Sequence, residues 1–302
     1  MKIAMYKMKN NKFLGNCFAF VFSLEETETP KSFTRSEFLM FVKTDNKVWN
    51  AIHSQEEWTN EHVFGHKTPM LRIGSECLLG SFGDSHCNCE EERIVAMKMI
   101  KGNGAGIYVH LPQEAQGQGL FYKAHELNLQ VNGVMPNGMY VGAKTQTEAA
   151  TILLGRPIID SRNYDVIAEG LKALGLEGYT YDFMSRNVKK VRTLKTCGIS
   201  INRMVDITTT IDDENVGETL VKWIQKGFCF TTDEATQIIT LLNSGKKLPP
   251  RAENLIEEAL SLCRNKQSEE RLFRKSHLDD VTRESLKKAI FQYVKVQNER
   301  IA

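Results

Sequence analysis

The stretch PMLRIGSECLLGSFGDSHCNCEEERIVAMKMIKGNGAGIYVHL, residues 69–111, decides the fold. It opens on a strand-like apolar run, PMLRIGSECLLG (69–80), and crosses a polar loop. It then takes up helical spacing in EEERIVAMKMIKG (90–102), which stops at Gly102. The closing AGIYVHL (105–111) is short, apolar and β-branched enough to read as a buried strand. Strand, helix and strand in succession imply a layered arrangement of helices on a sheet. The helix should follow Cys89 directly, so that its N-terminal amides lie near the loop and favour thiolate forms there.

That loop carries Cys77, Cys87 and Cys89. Three thiolates can hold one metal ion and leave a coordination position open, which is the pattern of a catalytic rather than a structural zinc. Free cysteines are also common as small buried hydrophobes. Here, however, the intervening Gly80, Gly83, Asp84, Ser85 and His86 are turn residues, not an apolar run. His86 is a competing fourth ligand.

Outward from this segment, FLGNCFAFVFSL (13–24) and SEFLMFVKT (36–44) read as strands separated by the polar EETETPKS, a meander near the N-terminus. On the other side come three helical patterns, QGLFYKAHELNLQ (118–130), TQTEAATILLG (145–155) and NYDVIAEGLKALGLEG (163–178), the last with a glycine stop at Gly175. GYTYDFM (178–184) reads as a strand, NVKKVRTLKTCG (187–198) as a short helix closed by Gly198, and ISINRMVDI (199–207) as a final strand. From there to the end the chain changes character: four amphipathic segments, interrupted by NSGKKLPP (243–250), read as a helical extension. In the first of them Leu220, Trp223, Ile224 and Phe228 form an apolar stripe best explained by core packing. The expected class is α+β, a layered mixed sheet with flanking helices over 1–207 and a helical extension over 208–302.

The 302 residues suffice for a large core and about two domains. With 25% charged residues and a net charge of +2, no global basic field points to nucleic acid or to an anionic membrane. No apolar run is long enough to span a bilayer, and MKIAMYKMKNNKFLG lacks a secretory apolar region. Cys17, Cys197, Cys229 and Cys263 are scattered without disulfide spacing, so a cytoplasmic protein is expected.

Several separate segments resemble GTP cyclohydrolase II, the family that opens guanosine triphosphate at the start of riboflavin synthesis. They are RIGSECLLG with FGDSHCNC, HLPQEAQGQGL, LGRPIIDSRNYDVIAEGLKALGL and SRNVKKVRTLKTCGISI, in the family's order between about residues 70 and 205. The resemblance implies that Cys77, Cys87 and Cys89 bind zinc, with the first interval one residue shorter than usual, and that the guanine ring is opened at C8 with loss of formate. It implies a second step at the α-phosphate releasing pyrophosphate, with Arg162 as nucleophile and Asp160 as proton acceptor. The same pair could instead be a salt bridge that orients a phosphate.

Arg72, Ser185 and Lys190 match nucleotide and phosphate contacts, as does Thr147 across an apparent insertion near PNGMYVGAK. Ser75, Glu76, Glu92, Glu114 and Gln116 complete the implied substrate-binding set. Lys190 sits in a basic cluster with Arg186, Lys189, Arg192 and Lys195, which without the resemblance would read as a solvated helix face. Family members are commonly dimers, so a homodimer is implied, and Mg2+ is expected only with a nucleoside triphosphate substrate.

The departures cluster around the nucleotide. The family's Gln-Glu-Gly-Arg reads QEAQ at Gln113–Gln116, its active-site tyrosine falls at Leu127, a nearby arginine at His125, a glutamine at Glu92, and the arginine before the second cysteine at His86. Three functions follow as expectations: opening of a purine nucleotide, GTP by default; hydrolysis of another nucleotide or heterocycle, such as a uracil derivative; or nucleotide binding without catalysis.

Overall fold

A computed structural model describes residues 1–24, 37–83, 86–143, 146–156, 162, 164–185, 187–226, 231–263 and 278–301. Seven strands form one sheet: β1 (Lys2–Asn11), β2 (Gly15–Ser23), β3 (Glu37–Lys43), β4 (Met70–Ser75), β5 (Gly106–Leu111), β6 (Thr180–Phe183) and β7 (Ser200–Met204). Their order is β1-β2-β3-β5-β4-β6-β7. The β1, β2, β3 and β5 neighbours are antiparallel, and β5, β4, β6 and β7 run parallel, so the sheet is mixed, as expected.

Among the described residues the α-helices are α1 (Asn46–Ala51), α2 (Leu78–Ser81), α3 (Cys89–Asn103), α4 (Leu120–Val131), α5 (Gln146–Leu154), α6 (Asp165–Ala173), α7 (Val188–Thr196), α8 (Val216–Lys226), α9 (Thr232–Asn243), α10 (Pro250–Cys263) and α11 (Asp280–Ile301). The chain divides into two compact units. The first holds Met1–Glu76, Glu92–Glu114 and Arg162–Ile207; the second holds Cys77–Glu91, Ala115–Ser161 and Thr208–Ala302.

In the first unit the alternation of GNCFAFVFS fixes which side chains meet. Phe18, Phe20 and Phe22 share one face of β2 and stand opposite Val42, Met40 and Phe38 of β3. The Phe22 and Phe38 rings stack at 4.6 Å between centroids. With Leu71, Ile73, Ile107 and Val109 they join Trp49 of α1, Ile167 and Leu171 of α6 and Leu194 of α7 in the main core. Each such large side chain contributes about 1.5–3 kcal/mol by burial. The other face of the sheet presents Cys17 and Tyr108 to Ala96, Met97 and Ile100 of α3. Gly74, on that same face of β4, is required sterically, because a Cβ there would stand 2.1 Å from the Tyr108 hydroxyl.

One local reading needs correction, and two elements lie outside the sequence reading. The strand-like run 69–80 ends at Ser75, since Cys77 turns out of the strand and stands at the N-cap of the short helix α2. The N-terminal MKIAMYKMKNN is strand β1, its polar positions facing outward along an edge while Ile3 and Met5 pack on the core. Helix α1, closed at its start by the Asp45 carboxylate on the Lys47 amide, was also not foreseen.

In the second unit, α8 to α11 build their own core from Val216, Leu220, Ile238, Leu248, Ile256, Leu286 and Ile290. Leu220 of the expected stripe is fully buried, while the side chains of Trp223, Ile224 and Phe228 lie outside the described residues. A capping box starts α9, the Thr231 hydroxyl accepting from the Glu234 amide and the Glu234 carboxylate from the Thr231 amide. Among the described residues, no helix is long and apolar enough to cross a membrane.

Candidate functional site

The cysteine cluster belongs to the second unit. Cys77 precedes α2, Cys87 lies in the loop and Cys89 opens α3, and their sulfurs all lie within 4.8 Å of one another. The Cys77 and Cys87 sulfurs are 3.6 Å apart. A Cβ on Gly80 would touch both sulfurs at 3.0 Å, so the glycine leaves the space in which they converge. The neighbouring thiols, Cys87 foremost, and burial push the Cys77 thiol far above its ordinary range. Three thiolates at this spacing are compatible only with a cation among them, and three sulfur donors suit zinc. The donor set therefore fits the metal that the sequence called for.

The polypeptide around the sulfurs is fixed by buried polar groups. Asn88, between two cysteines, is buried, and its amide donates to the Thr209 hydroxyl at 2.5 Å. Arg251 of α10, also buried, donates from Nη1 to the His86 carbonyl at 3.4 Å. It also donates to Gln130 of α4 at 3.2 Å and pairs with Glu218 of α8 at 3.1 Å. Lys123 of α4 pairs with Glu126 at 3.1 Å. Burial pulls the Lys123 ammonium down, but the carboxylates of Glu126 and Glu218 and the hydrogen bond to Glu126 outweigh it and hold its pKa above the usual lysine value.

The first unit gathers a second group of the expected residues along β4. Arg162 donates from Nη1 to the Ser75 hydroxyl at 3.2 Å. Lys190, buried at the start of α7, donates to the Ile73 carbonyl at 3.0 Å. Both cations lie over the ring of Tyr164, Arg162 at 5.7 Å and Lys190 at 5.4 Å from its centroid. Arg72 donates to the Met184 carbonyl at 2.8 Å and pairs with Glu92 of α3 at 2.6 Å. Its guanidinium is thus held by the protein itself. Ser185 is buried and accepts from the Asn187 amide at 3.1 Å. Arg192 and Lys195, from the same basic run, are exposed.

Glu76, at the end of β4, lies 3.9 Å from His110 Nε2. Burial raises the Glu76 carboxyl, and burial and then Arg93 lower the His110 imidazolium, so the imidazole is neutral at neutral pH. Glu114 is buried. Ala115 and Gln116, where the family sequence has glycine and arginine, adopt φ of +49° and +59°. Left-handed conformation at a residue with a Cβ costs about 1–2 kcal/mol, so this turn keeps a glycine-type backbone without the glycine. Asp160 lies outside the described residues, as do the side chain of Thr147 on α5 and the residue Arg186.

Sequence reasoning did not find Tyr164, His110, Thr209 or Arg251. Tyr164 stands two residues after Arg162, and an aromatic beside a cationic motif is a signal that could have marked it. Nothing in the spacing of Thr209 or Arg251 marks either, because they reach Asn88 and His86 only through the fold.

The family model for GTP cyclohydrolase II matches residues 23–206. Among curated relatives, the GTP cyclohydrolase-2 of Vibrio parahaemolyticus is 31% identical over 188 residues, covering 61% of this chain and 84% of its own. The GTP cyclohydrolase-2 of Picrophilus torridus is 28% identical over 179 residues, 59% of this chain and 83% of its own. A probable bifunctional riboflavin biosynthesis protein of rice, RIBA 1, chloroplastic, is 33% identical over 180 residues. That match covers 59% of this chain and 31% of the rice protein. The chain spans about a third or less of the plant relatives that it matches.

Proposed function

The chain belongs to the GTP cyclohydrolase II family, and on that premise we propose that it is a zinc-dependent hydrolase that opens the ring of a purine nucleotide, with GTP as the default substrate. The observation that carries this reading is the convergence of the Cys77, Cys87 and Cys89 sulfurs within 4.8 Å. When bound, zinc supplies the Lewis acidity that lets water act as a nucleophile at neutral pH. The rest is done by side chains of this chain. The three thiolates hold the ion. In this reading neutral His110 and Glu76, which follows β4, act as proton-transfer groups. Formate is the carbon fragment released.

In this reading Arg162 meets the α-phosphate, with Ser75 fixing its guanidinium and Tyr164 supporting it from the ring face. Asp160 is the proton acceptor for a pyrophosphate-releasing step. Lys190 and Ser185 complete the anion contacts, and Arg72 acts through Glu92, orienting that carboxylate toward the base. Glu114, Gln116 and Thr147 finish the substrate pocket. Residues 1–207 form the hydrolase domain and 208–302 its helical extension, and the protein works as a homodimer in the cytoplasm. Mg2+ enters with a triphosphate substrate. Riboflavin synthesis, which the names of the plant relatives carry, is the corresponding pathway.

A second reading, hydrolysis of a different nucleotide or heterocycle, is favoured by Gln116 and Leu127. A guanidinium and a phenol of the family pattern are missing at those positions, and with them a permanent charge and a hydrogen-bonding group. Mass spectrometry of the zinc-loaded protein with GTP and Mg2+, following GTP, formate and pyrophosphate together, tests both. Formate with pyrophosphate supports the first reading, and formate alone removes the second step from it. Intact GTP beside bound zinc, followed by turnover of another base or nucleotide, moves the assignment to the second.

A further inference from the structure

The segment beyond the family match has no assigned role, yet it supplies partners of the cysteine loop from Thr209, Thr210 and Arg251. Three separate contacts make the link, each within the second unit. Asn88 donates to the Thr209 hydroxyl at 2.5 Å, and that hydroxyl lies 3.5 Å from Glu234 of α9. Glu91 receives the Thr210 amide at 2.9 Å on one carboxylate oxygen and the Thr210 hydroxyl at 2.8 Å on the other. The guanidinium of Arg251 on α10 donates three ways, one of them to the His86 carbonyl. Thr209, Glu234 and Arg251 are all buried, as is Asn88.

We propose that the 208–302 segment is a built-in retainer of the metal loop, in which Thr209, Thr210 and Arg251 are positioning residues that hold His86, Asn88 and Glu91 so that the sulfurs of Cys87 and Cys89 meet that of Cys77. The proposal rests on the metal reading given above. The physical need is plain from the local chain. Among the described residues of 82–88 there is no helix or strand, so no regular element there fixes the two sulfurs that they carry or flank. A loop of this kind binds a cation well only if its ordering has been met by other contacts before the ion arrives. A buried hydrogen bond to Asn88 and a partly buried one to His86 do this on either side of Cys87, and the paired bond to Glu91 does it two residues after Cys89. The Asn88 and Arg251 contacts are specific, because a buried polar group that loses its partner is left without water to replace it.

The arrangement predicts that these residues control how tightly the metal is kept, with no sulfur altered. The test uses the full-length, zinc-loaded protein and reads zinc release to an excess of chelator with a zinc-sensitive dye, alongside the melting temperature of the zinc-free protein. Thr209→Val and Arg251→Met should release zinc about 10- to 100-fold faster, the range for partners that orient a ligand. Thr209→Ser, which keeps the hydroxyl, should release at the original rate. Glu91→Ala removes a contact at an exposed edge and so leaves the core intact, and it should also accelerate release if the buried variants do not fold. A purely structural role would lower the zinc-free melting temperature in these variants and leave the release rate unchanged, and that result overturns the proposal. If the parent protein takes up no zinc, the metal reading falls and this one with it; zinc-loaded parent and variants with equal release rates overturn the retainer alone.

Discussion

Arg72 and Glu92 join β4 to α3 through an ion pair of 2.6 Å whose side chains are only 13% and 17% exposed. Glu92→Gln keeps the shape and removes the charge, leaving a mostly buried guanidinium facing a neutral amide. The expected loss is about 1–3 kcal/mol of stability, read as a lower urea midpoint. Arg72→Met combined with Glu92→Leu should recover part of that loss. A single variant as stable as the parent would show that the pair contributes nothing to the fold.

Serine at Cys87 or at Cys89 replaces a thiolate donor with a poor one. Each variant should lose its zinc together with turnover, while the sheet core, which neither residue joins, keeps its circular dichroism. Full activity in a zinc-free preparation would refute hydrolysis at this centre.

Arg162→Ala should keep zinc and lower turnover by about 100-fold or more, the scale for removing a charged group that contacts the reacting centre. Tyr164→Leu withdraws the ring beneath Arg162 and Lys190 and should cost less, about 3- to 30-fold, because a cation over a ring contributes about 0.5–2 kcal/mol. Zinc loss in Arg162→Ala would place that arginine in the metal site and contradict its assignment.

Burial raises the Cys17 thiol from 9.0 to about 11 against the opposing effect of Lys43. The folded state therefore keeps a proton that the unfolded chain gives up sooner. This stability is fully present below about pH 9 and is lost as pH climbs toward 11. Urea midpoints between pH 8 and 11 should fall more steeply for the parent than for Cys17→Ala; parallel curves would mean that Cys17 titrates normally.

The parts of this fold legible in the sequence are those whose signals are local. The cysteine triplet, the helix that begins at Cys89 and the closure of α7 at Gly198 each follow from neighbouring residues. Strand β1 was hidden because an edge strand with one solvated face carries only half of an apolar pattern, and its identity comes from pairing with β2. Cys77 broke the strand-like run because the chain must turn there to bring its sulfur toward Cys87. The resemblance implied Arg72 as a phosphate contact, but its bond to Glu92 depends on α3 crossing β4, which no spacing within either element reveals. The ties of Asn88 to Thr209 and of His86 to Arg251 span 121 and 165 residues, distances over which pattern says nothing.

The division of the chain into two units that interleave in sequence has a consequence for its birth. Synthesis proceeds from the N-terminus, and domains usually fold as they emerge. Here the cysteine loop leaves the ribosome at residues 77–91, but the groups that complete its unit, through α11, follow only with the last third of the chain. During that interval the loop lacks its contacts with Thr209, Thr210 and Arg251. The ion capture proposed for this loop would then be a late event in maturation, and a nascent chain stalled before residue 208 would carry all three sulfurs and none of the contacts made from beyond that point.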